Sequence, residues 1–140
     1  YRAPRTKFVA EFLGSSNIFT GSVAALADGL VQIATPAGDF EVVQNPAKSL
    51  AAGDPTTFVV SGDRIHLTND VPANGLNRME AAVVGEEFVG ATAVIHLEGP
   101  DGTEIKAQKS HDELAQLDLS FGSKVWLSWR PDAGHILPGE

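Results

Sequence analysis

From Ile18 onward, apolar residues recur at every second position in short runs that are cut by glycine-bearing turns. A period of two places alternate side chains on opposite faces of an extended chain, so this pattern specifies half-buried strands rather than helices. The runs Ile18–Leu26 and Leu30–Thr35 flank Asp28-Gly29, a pair suited to a tight hairpin. Pro36-Ala37-Gly38 turns the chain again, into Phe40–Val43. Residues 45–52 read as a helical turn or an irregular loop, and Thr57–Val60 and Arg64–Thr68 are two further short strands around Ser61-Gly62-Asp63. With 14 glycines and 8 prolines in 140 residues, turns are frequent enough to favour many short strands over a helical bundle.

The run Asp70-Val71-Pro72-Ala73-Asn74-Gly75 carries the composition of a linker, and after it the pattern starts again. Asn77–Phe88 predicts a long strand bent at Gly85. Thr92–Leu97 and Thr103–Lys106 face each other across Gly99-Pro100-Asp101-Gly102, and His111–Leu117 predicts a helical turn. Lys124–Trp129 and Gly134–Leu137 close the chain. Asn17 and Val23 match Asn77 and Val83 sixty positions later, and Gly53 before Thr57–Ser61 matches Gly122 before Val125–Ser128. The expected fold is therefore mainly β, with two small OB-like Greek-key barrels in tandem. The first unit covers 17–70, the linker 71–76 and the second unit 77–140.

Ahead of these units, Pro4–Gly14 predicts a short helix within a junction segment, 1–16. Thr6 caps it, Gly14 stops it, and Phe8, Val9, Phe12 and Leu13 share one face. A helix this short needs a docking partner for that face, which makes Phe8 and Phe12 candidate interface residues. Trp126 and Trp129 lie three apart in a strand and point to opposite faces, so one is core and the other is a candidate interface residue.

Charge and motif chemistry narrow the function. The formal net charge is −8, which opposes contact with nucleic acid or an anionic membrane surface and tolerates a cationic ligand or a basic protein patch. There is no cysteine for a disulfide, a thiolate metal site or a thiol nucleophile. No apolar run approaches the length of a membrane span. Gly85–Thr92 has the outline of a phosphate-binding loop, but Ala91 stands where the lysine is needed and Glu86 and Glu87 would repel phosphate. Ser110-His111-Asp112 offers triad residue types that adjacency keeps from converging, and a helix start explains them better. His66, His96, His111 and His135 show no metal-ligand spacing. The residues specify a non-catalytic binding or regulatory module, with no cofactor or metal of its own.

Two stretches resemble a known family. Pro4–Val23 is similar to the junction at which the nucleotide-binding domain of ABC import ATPases gives way to its C-terminal extension. Gly122–Asp132 resembles the last strand pair of the transport-associated OB (TOBE) domain, and Ala91–Ala107 resembles an earlier pair of the same domain. Where relatives carry an Arg-Pro-Glu step, this chain reads Ser61-Gly62-Asp63-Arg64.

The resemblance implies the regulatory tail of an ATP-binding subunit, of the polyamine (spermidine/putrescine) or iron(III) branch. Its ATP and Mg sites would lie in a parent domain upstream of Tyr1. It further implies a homodimer, contacts with the parent ATPase domain and with permease subunits, and a place at the cytoplasmic face of the bacterial plasma membrane. Trp129, Arg130 and Asp132, in the closing stretch, join Phe8 and Phe12 as interface candidates. The alternative is a small-ligand sensor that inhibits transport on binding iron(III), an oxyanion or another solute.

Overall fold

A computed structural model describes residues 15–46 and 48–137. The segment carrying the expected helix, with Phe8 and Phe12, lies outside the described residues.

Ten strands follow in order: β1 Ser16–Ala27, β2 Leu30–Thr35, β3 Gly38–Val43, β4 Pro55–Ser61, β5 His66–Thr68, β6 Asn77–Val89, β7 Thr92–Glu98, β8 Glu104–Ser110, β9 Lys124–Trp129 and β10 Gly134–Ile136. One helical turn, α1 His111–Leu114, follows β8. The strands form two antiparallel five-stranded sheets in the orders β10-β4-β1-β2-β3 and β5-β9-β6-β7-β8. The segments 4-1-2-3 and 9-6-7-8 within those orders are each a Greek key.

Local chemistry accounts for the turns and bends. Asp28 and Gly29 both take positive φ, 55° and 78°, as a type I′ hairpin turn requires. The long strands bend at matching places. The β1–β2 register shifts between Val23 and Ala25, and the β6–β7 register between Val83 and Gly85. At both bends the valine backbone bonds to a loop that turns through a left-handed glycine: Val23 to Gly53 and Asp54, Val83 to Gly122 and Ser123. The residue pairs that repeat in sequence thus hold equivalent structural posts.

Each sheet takes its fifth strand from the other half of the chain. β5 leaves the first half to pair with β9, and β10 returns from the second half to pair with β4. Each exchange runs through a short 3-10 turn, Gly62–Arg64 or Pro131–Ala133. At the first turn the backbone passes so close to Ser15 and the Lys106 carbonyl that a Cβ on Gly62 would lie 2.5 Å from Ser15 Oγ.

The exchange leaves a single continuous core. At its centre Trp129 of the second sheet stacks on Phe19 of the first, with ring centres 5.7 Å apart, and packs on Phe40 at 5.0 Å. Phe58 completes the cluster against Phe19. All four side chains are buried.

Candidate functional site

Two buried asparagines tie the sheets together. Asn17 on β1 reaches across to β8, where its Nδ2 donates to the Lys106 carbonyl (2.8 Å) and its Oδ1 accepts from the Lys106 N–H (2.7 Å). The same Nδ2 donates to the Val60 carbonyl at 3.2 Å. Asn77 on β6 returns the contact: its Oδ1 accepts from the Glu41 N–H (2.7 Å) and its Nδ2 donates to the Glu41 carbonyl (2.8 Å) on β3. β3 and β8 are edge strands, whose outward N–H and C=O groups would otherwise be unpaired. A side-chain amide presents an N–H and a C=O side by side at the spacing a backbone residue needs, so each clamp satisfies both groups, and the second N–H of Asn17 remains for Val60.

In each sheet the exchanged strand and the opposite edge strand line a seam. In the first unit, Val43 at the end of β3, with Gln44 and Asn45 after it, faces Gly134, His135 and Ile136 of β10, around a cavity of about 360 Å3. In the second, Lys109 of β8, Glu113 of α1 and Leu117 face His66 and Leu67 of β5, around a cavity of about 230 Å3. The registers make these seams equivalent. Val23 stands opposite Ile33 and Ile33 opposite Phe40; Val83 stands opposite Leu97 and Leu97 opposite Ile105. Four residues further along lie Gln44 and Lys109. Gln44 is exposed, whereas Lys109 is buried.

The electrostatics of the second seam centre on that lysine. Burial pulls the Lys109 ammonium below the usual lysine range, and the charges of Glu113 and Asp63 offset this in part. Its Nζ donates a 3.4 Å bond to the Asp63 carbonyl. Ser110 caps α1 in a capping box. Its Oγ accepts from the Glu113 N–H, and Glu113 Oε1 accepts from the Ser110 N–H. Hydrogen bonding from Ser110, its backbone N–H first and its hydroxyl second, holds the Glu113 carboxyl below its ordinary value.

The residues expected at an interface separate in the structure. Trp129 is fully buried within the chain, so it is the core tryptophan and presents no surface to a partner; Trp126 is the partly exposed one of the pair. Arg130 and Asp132 stand exposed on the second exchange turn. The guanidinium of Arg130 forks onto the Asp132 carboxylate at 3.2 and 3.3 Å. Arg64, from the first exchange turn, reaches the same carboxylate at 3.7 Å. The Ser61–Arg64 departure therefore lies beside Asp132. Gly85–Thr92 forms the β6–β7 hairpin rather than a phosphate-binding loop, and Ser110-His111-Asp112 starts α1, as expected of that stretch.

Lys109 was not singled out from sequence, although a signal was present. Ile105, Ala107 and Lys109 alternate on one face of β8, and the face that buries the first two also buries the third.

Comparison with known proteins settles the family. The TOBE-domain family profile matches residues 62–137, more than half of the chain, from the first exchange turn through β10. The chain belongs to the TOBE-domain family. This TOBE chain is 34% identical over 139 residues to the spermidine/putrescine import ATP-binding protein PotA of Thermobifida fusca, covering 99% of its own length and 36% of that protein. It is 29% identical over 139 residues to the putrescine transport ATP-binding protein PotG of Escherichia coli, covering 98% of itself and 37% of the relative. It thus spans little more than a third of these relatives. Among solved structures, the cytoplasmic molybdate-binding protein ModG, with molybdate bound, superposes with a TM-score of 0.82 at 23% identity. That match covers 90% of this chain and 98% of the other, and it shows a shared fold.

Proposed function

We propose that this TOBE chain is the C-terminal regulatory region of the ATP-binding subunit of an ABC-type importer, and that the importer carries polyamines. The observation that carries this reading is similarity over 98–99% of the chain to ATP-binding subunits of spermidine/putrescine and putrescine import, together with a TOBE match through the second sheet. ATP binding and hydrolysis belong to the parent domain in this reading. The tail supplies packing between two subunits and control of their cycle beside the permease, at the cytoplasmic face of the plasma membrane. The exposed Arg64–Asp132–Arg130 group is the first candidate for that packing surface.

Sedimentation of the full reading frame, with and without residues 17–140, tests the proposal. Loss of the dimer or of ATPase control on deletion is the expected result. An unchanged dimer with unchanged control would count against it. Sensing of a small ligand is the second reading, favoured by the buried lysine at the second seam.

A further inference from the structure

The first unit shows what the fold itself needs at the seam. There the post equivalent to Lys109 is held by Gln44, neutral and exposed. Lys109 retains only 6% exposure, and its ammonium has one backbone acceptor, at 3.4 Å. Among the described residues it is in no ion pair. Lysine is almost never buried unless it is paired, because removing an ammonium from water without partners is costly. The architecture does not demand this cost, since its own repeat avoids it.

The geometry points to the seam between β5 and β8 as a binding site for a small organic acid that also carries a hydrogen-bond donor. The ligand carboxylate would pair with the Lys109 ammonium and supply the acceptors that the chain does not. An imidazole carries at least one N–H in every protonation state, so His66, lining the same cavity, adds a donor. Leu67 and Leu117 form apolar wall for a short carbon skeleton. Glu113, with one oxygen held by Ser110, lies on the same lining and accepts from the ligand's hydroxyl or ammonium. Its like charge opposes a bare inorganic dianion. A water molecule's share of liquid is about 30 Å3, so the cavity of about 230 Å3 has room for roughly seven heavy atoms. This inference deepens the ligand-sensing reading and is independent of the importer assignment, because binding is read on the chain itself.

The test uses the 140-residue chain with L-alanine and L-lactate as probes, with sodium sulfate and sodium chloride as controls at matched ionic strength. The expected result is a saturable rise in melting temperature with alanine or lactate, absent with either salt. Lys109→Gln should keep the fold, because glutamine serves the same post in the first unit, and should lose the response. Amide NMR shifts of the unaltered chain form a second readout that needs no variant. His66, Leu67 and Lys109 should move, and His135 at the other seam should not. Absence of a saturable response to both acids overturns the proposal. So does an equal response in Lys109→Gln, an equal response to sulfate, or shifts centred on His135.

Discussion

Replacing Asn17 by alanine removes three hydrogen bonds at once, of 2.7, 2.8 and 3.2 Å, from a side chain only 3% exposed. The Lys106 N–H and C=O are left unpaired on a half-buried edge strand. Each buried group so orphaned costs about 1–3 kcal/mol. Water reaches this strand in part, so a loss of about 2–4 kcal/mol is expected for Asn17→Ala. Asn77→Ala orphans the equivalent groups of Glu41, a residue that is exposed. Water replaces that clamp more readily, and about 1–3 kcal/mol is expected. Against a total stability of about 5–15 kcal/mol for a domain, either loss is large.

Urea unfolding followed by far-ultraviolet circular dichroism and by tryptophan fluorescence measures both effects. Trp126 and Trp129 lie in β9, so fluorescence reports the second sheet and, through Trp129, its packing on the first, while dichroism reports the strands of both sheets. The exchanged strands and the reciprocal clamps require the two signals to shift together in both variants. A loss below about 0.5 kcal/mol for Asn17→Ala, within the range of an ordinary surface change, would refute the clamp. Two separate transitions in the parent chain would refute the interlock.

Other substitutions test other links. Gly21→Ala would place a Cβ 2.0 Å from the Ala34 carbonyl oxygen, backbone that can yield only by distorting the β1–β2 pairing; destabilisation of about 1–3 kcal/mol is expected on thermal melting. Trp129→Ala empties the middle of the aromatic cluster between the sheets and should cost about 3–5 kcal/mol in the same assay. Lys109 gives a pH signature. Its value in the folded chain lies below the ordinary 10.5, so the unfolded chain binds more protons between those two points. Stability should therefore rise with pH across that window, and the cost of the buried charge is fully present below it. Lys109→Gln should flatten this slope in melts taken between neutral pH and pH 10.5, and a slope that persists unchanged in the variant would contradict the assignment.

Much of the fold was legible because local chemistry determines it. Asp28-Gly29 specifies its hairpin, Gly85 marks the bend of β6, and the Asn and Val spacing marks the repeat. The strand exchange was not legible. Three-residue strands such as β5 and β10 carry too little pattern to reveal their partners, and pairing between sequence-distant strands leaves no local mark. Trp129 shows the same limit: alternation separates it from Trp126 but does not say which face is core, because that depends on Phe19, Phe40 and Phe58 arriving from the other half. The burial of Lys109 follows from the alternation of Ile105 and Ala107, yet the seam that makes it consequential needs β5 in place.

The most direct test of the regulatory assignment is polyamine uptake by the full ATP-binding subunit assembled with its permease, with residues 17–140 present or removed. If the chain is the regulatory region of a polyamine importer, its removal leaves ATP hydrolysis by the parent domain but changes radiolabelled spermidine uptake or uncouples it from hydrolysis. Uptake and coupling that are both unchanged without it would contradict the account.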